Sequence, residues 1–130
     1  MQKSSDYKFY SFDSDNSILY HEVTNENFGN KELFITSMAY LTTLIERHRP
    51  KYLFIKIMKK PEFFEFLLKD FMQKTLYTTL INSGTLKIAL YIFDERYLDI
   101  LKKHEINTVI KARFFTDIDT AKQWLLNPTA

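Results

Sequence analysis

The sequence predicts an α/β domain: a single mixed five-stranded sheet with helices packed on it, in the order β-β-α-β-α-β-α-β-α. Three observations predict it. Apolar residues follow a two-residue rhythm in short β-rich runs and a helical rhythm in the stretches between them. Two glycines and three prolines occur in 130 residues, and they punctuate those runs cleanly. After an opening pair of strands, each further strand is separated from the last by a helical stretch, which implies parallel neighbours with right-handed crossovers. The length fits one domain over residues 1–130, long enough to bury a core without disulfides.

The first strand is expected over residues 7–12, where Tyr7 and Phe9 point one way and Lys8, Tyr10 and Phe12 the other. The polar run Asp13-Ser14-Asp15-Asn16-Ser17 suits a hairpin turn, and a second strand over residues 18–24 follows at once, so the two pair antiparallel. Gly29 lies in the polar connection after it. A helix is expected over residues 31–49. Phe34, Met38, Leu41 and Ile45 recur at helical spacing with Leu44 beside them, while Glu32, Thr36, Thr43 and Arg47 lie on the far face. Pro50 stops it. Residues 51–58 are apolar on both faces, as an interior strand requires. Pro61 and Glu62 suit the first turn of a second long helix, which reaches Asn82 and is stopped by Gly84. Its buried stripe reads Phe64, Leu67, Leu68, Phe71, Leu76 and Leu80. Residues 86–93 form the most continuous apolar run and should be the central strand. A short helix over residues 95–103 turns Tyr97, Leu98 and Leu101 inward. The last strand, near residues 110–115, leads into Thr116-Asp117-Ile118-Asp119, which has the pattern of a capping box with aspartate in the usual glutamate place. The final helix buries Ile118, Ala121, Trp124 and Leu125.

Composition narrows the function classes. There is no cysteine, which removes disulfides, thiolate nucleophiles and cysteine zinc sites together. The opening residues lack an apolar signal core, and no stretch approaches the roughly 18 uncharged apolar residues of a membrane helix, so the chain is expected in the cytoplasm without stable membrane insertion. A net charge of +2, with basic and acidic residues interspersed, does not point to nucleic acid. The aromatic content is high, with twelve Phe, eight Tyr and one Trp. Each such ring buries about 150–250 Å², so the excess builds core, sticky surface, or both.

No motif for catalysis or metal binding stands out, and no cofactor is implied. Gly29 and Gly84 cannot supply a glycine-rich phosphate loop. The turn before the second long helix offers one substitute: free backbone N–H groups with Lys59, Lys60 and Glu62 nearby, an anion or ligand loop or simply an exposed basic turn. His21, His48 and His104 show no metal-ligand spacing. Asp94 and Asp117 follow strands at the expected C-terminal sheet edge, where open α/β sheets place ligands, but both also stand where a helix N-cap belongs, the simpler role. On the second long helix, Phe66, Asp70, Gln73, Tyr77 and Ile81 run along one strip. The apolar Phe66, Tyr77 and Ile81 suggest a partner interface or a dimer seam, or a helix buried more widely than a stripe.

The element order, together with the tail Phe114-Phe115-Thr116-Asp117-Ile118-Asp119-Thr120-Ala121-Lys122-Gln123-Trp124-Leu125, resembles the SpoIIAA-like, STAS-type family. Members commonly close with a strand ending in phenylalanine, an acidic turn, and an Ala-x-x-Trp-Leu helix, here Ala121, Trp124 and Leu125. By topology the resemblance spans the chain; by motif it covers these last dozen residues. It implies a small, often dimeric, cytosolic module that binds a protein, a nucleotide or a lipid-like ligand and is not an enzyme. The expectation is therefore a non-catalytic interaction or regulatory module that binds a protein partner or self-associates; the alternative is a carrier of a small anionic or lipid-like ligand. Anti-sigma antagonists of this type carry a phosphorylatable serine in a turn after a central strand. The corresponding turn here, Met58-Lys59-Lys60-Pro61-Glu62, has no serine or threonine, so that switch is not carried over.

Overall fold

The computed structural model describes residues 9–24, 26, 30–58, 76–103 and 105–128. In chain order these form β1 (Tyr10–Asp13), β2 (Ile18–Val23), α1 (Lys31–His48), β3 (Tyr52–Ile57), α2 (Tyr77–Asn82), β4 (Lys87–Ile92), a 3-10 turn (Glu95–Tyr97), α3 (Leu98–Lys102), β5 (Ile106–Asn107), β6 (Lys111–Phe115) and α4 (Ile118–Leu126). The fold is α/β on one mixed sheet. Among the described residues the sheet has six strands in the order β1-β2-β3-β4-β6-β5, which corrects the expected five. The added strand is the two-residue β5, antiparallel to β6 at one edge. Two residues cannot display an alternating pattern, so no sequence rhythm announces them.

The opening hairpin forms as expected, with Tyr10 opposite His21 and Asp13 opposite Ile18. Its turn is held by the Asp13 carboxylate, which accepts from the Asp15 and Asn16 backbone N–H groups at 3.0 and 3.3 Å and from the Asn16 side-chain amide at 2.9 Å. β2, β3, β4 and β6 run parallel, with Tyr20, Phe54, Ala89 and Arg113 in one cross-sheet row. α1 starts on Asn30, whose side chain accepts from Leu33 N at 2.9 Å, and ends where Arg49 turns left-handed (φ 46°) ahead of Pro50.

Each parallel crossover steps across the sheet in the same direction. Right-handed crossovers that do so must lay their helices on one face. The buried residues follow that rule. Phe34, Met38, Leu41 and Ile45 of α1, with Leu76, Leu80 and Leu101, share one core with Leu19, Leu53, Ile55, Ile88, Leu90 and Phe114. The opposite face carries a smaller core, in which Ala121, Trp124 and Leu125 of α4 cover Ile18, Phe54 and Ala89. Among the described residues α4 is the helix on that face, and Tyr20, Tyr52, Tyr91 and Phe115 around it are only partly buried. Lys87, 7 % exposed in the middle of the sheet, sends its Nζ to the carbonyls of Trp124 (2.9 Å), Leu125 (3.5 Å) and Asn127 (2.6 Å). Those are the carbonyls a helix C-terminus leaves unpaired, and a cation there also matches the helix dipole.

Candidate functional site

Among the described residues, the part of the second face that α4 leaves open lies over β1 and β2, bordered by the buried Phe54 of β3. Strand alternation brings Ser11, Tyr20 and Phe54 to it, and one row further Phe9, Glu22 and Lys56. The cross-strand partners Tyr20 and Phe54 sit with ring centroids 5.5 Å apart, and Glu22 stands opposite Lys56. From α4, Ile118 closes one wall, and Lys122 places its Nζ 5.4 Å from the Tyr20 ring. These residues enclose a pocket of about 240 Å³ with an aromatic floor and a rim of both charge signs. It opens near the C-terminal ends of the parallel strands, where ligands approach sheets of this kind.

His21 stands behind this pocket on the other face of β2. It is 2 % exposed and stacked on Tyr10 at 4.6 Å, and burial pushes its pKa down to about 3. Near neutral pH it is an uncharged ring in the wall and too weak a base to carry protons.

The strand-end carboxylates do structural work. Asp94 accepts from Arg96 N at 2.9 Å and pairs with the Arg96 guanidinium, whose hydrogen bonds hold it below the usual carboxylate range. Asp117 accepts from Thr120 N at 2.8 Å and from the Thr120 hydroxyl at 2.7 Å, with the same effect on its acidity. Each caps the helix that follows it. The N-cap of α4 is Asp117 itself, one residue later than a capping box begun at Thr116 would place it.

The strip expected on the second long helix is only partly visible. Phe66 lies outside the described residues, as do Lys59, Lys60, Glu62 and His104. Tyr77 packs against the larger core and shares a 2.6 Å hydrogen bond with the Thr108 hydroxyl, while Ile81 is 40 % exposed. The pocket itself was not foreseen, since its residues come from β1, β2, β3 and α4 and meet only through the sheet. The one local hint was Tyr20 and Glu22 alternating with Leu19, His21 and Val23. Among the described residues no three histidines, aspartates or glutamates are grouped to hold a metal ion, and no helix is long and apolar enough to cross a membrane. Comparison with protein-family models, curated proteins and solved structures finds no match.

Proposed function

We propose that the chain is a non-catalytic cytoplasmic interaction module, resembling the SpoIIAA-like, STAS-type domains in element order, and that it docks a partner protein on the half-open face of its sheet. One observation carries this reading: the half-buried Tyr20 ring beside the buried Phe54, with Phe9 and Ile118 at its sides, ringed by Glu22, Lys56 and Lys122. Aromatic residues at the centre with a polar rim are the composition of a protein interface. A rim with one carboxylate and two amines suits a mixed protein surface better than a polyanion. The volume argues in the same direction. At about 240 Å³ the pocket is smaller than the roughly 300–1,000 Å³ of small-molecule sites, and it suits one anchoring side chain of a partner.

Tyr20→Asp, with circular dichroism to check that the variant keeps its fold, tests the proposal, since Tyr20 is half-buried and lines the pocket. Light scattering of the purified wild type distinguishes a second copy from a different partner. A dimer that Tyr20→Asp converts to monomer, or a defined partner retained by the wild type and lost by the variant, supports the reading. A monomeric wild type with no partner whose capture depends on Tyr20 overturns it.

A further inference from the structure

We propose that a second pocket, between β1 and the C-terminal half of α1, is a binding site for a small amphipathic carboxylate. It lies on the α1 side of the sheet; Tyr10 and Ser11 of β1 border both pockets, and the proposal does not rest on the partner reading. Between β1 and the C-terminal half of α1 lies a gap of about 430 Å³. That volume falls within the roughly 300–1,000 Å³ range of small-molecule sites.

The walls carry Ser11, Ser14 and His48 beside the apolar side chains, and they are held in place. Phe12, Leu19 and Leu44 line the gap. The Phe12 ring stacks on His48 at 4.4 Å, and the Tyr10 ring meets Tyr40 edge-on at 5.0 Å. Rings that brace one another are already ordered before a ligand arrives, which lowers the ordering cost of binding. Burial, with Arg47 alongside, holds His48 below the ordinary histidine range, so it presents a neutral ring.

The charge pattern selects the ligand. No aspartate or glutamate lines the gap, and Arg47 stands exposed at its mouth with no ion pair among the described residues. An arginine in the last turn of a helix is favoured by the helix dipole alone. That explains the residue type but not the ligand-sized gap beside it, whose wall is apolar along Phe12, Leu19 and Leu44. An apolar body in the gap with one carboxylate on the Arg47 fork satisfies both halves of the site.

The test is an amide NMR titration of the full chain with 3-phenylpropionate and decanoate, each matched by its neutral alcohol. The first pair represents a small aromatic acid and the second a fatty acid. Saturable shifts at Phe12, Tyr40, Leu44 and His48 are expected, with at least one acid preferred over its alcohol by about tenfold, the value of one good charge-assisted contact. The acid that saturates identifies the source of the chemistry. Arg47→Glu, at an exposed position, should abolish the preference and leave the rest of the spectrum unchanged. The absence of saturable shifts at these residues with any probe, equal affinity for acid and alcohol, or a preference that survives Arg47→Glu would overturn the proposal.

Discussion

At the scale of single residues, folding changes the chemistry of His21 most. Its imidazole lies between Tyr10 and the core, and burial drops its pKa from 6.5 to about 3. Between those values the unfolded chain binds a proton that the folded chain refuses, so stability falls as the pH drops through this window and is fully retained above it. Each pH unit in the window is worth about 1.4 kcal/mol. Urea melts at pH 6.5 and pH 4 should therefore show the wild type losing about 3 kcal/mol more than His21→Phe, which keeps a ring on Tyr10 and has nothing to protonate. The same loss in both proteins would show that His21 is not the source of this pH dependence. Residues whose role is set by neighbours in sequence were legible in advance: Asp94 and Asp117 precede helical runs, and both cap them. The burial of His21 was not legible, because a histidine on a strand gives no sign of what lies over it.

Among the elements, α1 was the most legible. All five residues of its apolar stripe are buried, and Glu32, Thr36, Thr43 and Arg47 face solvent. Eighteen residues carry enough repeats of the helical period to leave one solution. β5 is the opposite case, and its edge is completed by a side chain: the Glu105 carboxylate accepts the Phe114 N–H at 2.9 Å, beyond the reach of the β5 ladder. β4 reads as a central apolar strand, but Lys87 at its start is a device that only the packed helix explains. Its ammonium serves the carbonyl end of α4. Lys87→Met retains most of the buried stem but leaves those carbonyls without their donor. We expect a loss of about 1–3 kcal/mol, the penalty for an unsatisfied buried polar group, measured by denaturant unfolding. A neutral effect would mean that water reaches the end of α4 and replaces the amine.

Across the whole molecule, the dominant feature is the inequality of the two sheet faces. Crossovers that step in one direction crowd their helices onto one face, and among the described residues α4 covers the other. A chain ending at Asp117 would uncover Ile18, Phe54 and Ala89 together. It should lose cooperative thermal unfolding and bind a hydrophobic dye, whereas a tightly folded truncated chain would show that α4 is an accessory. The same inequality produces the aromatic pocket, and the second pocket lies between β1 and α1.

By itself the sequence determined the class of fold, the position of α1, β2, β3, β4 and α4, and the capping of two helices, because periodicity and caps are written within a few residues of one another. Only the tertiary structure decided which face of the sheet stays open, where Arg47 and Lys87 find their surroundings, and that a sixth strand closes one edge. Those outcomes depend on residues tens of positions apart meeting across a twisted sheet, and no local pattern records that meeting.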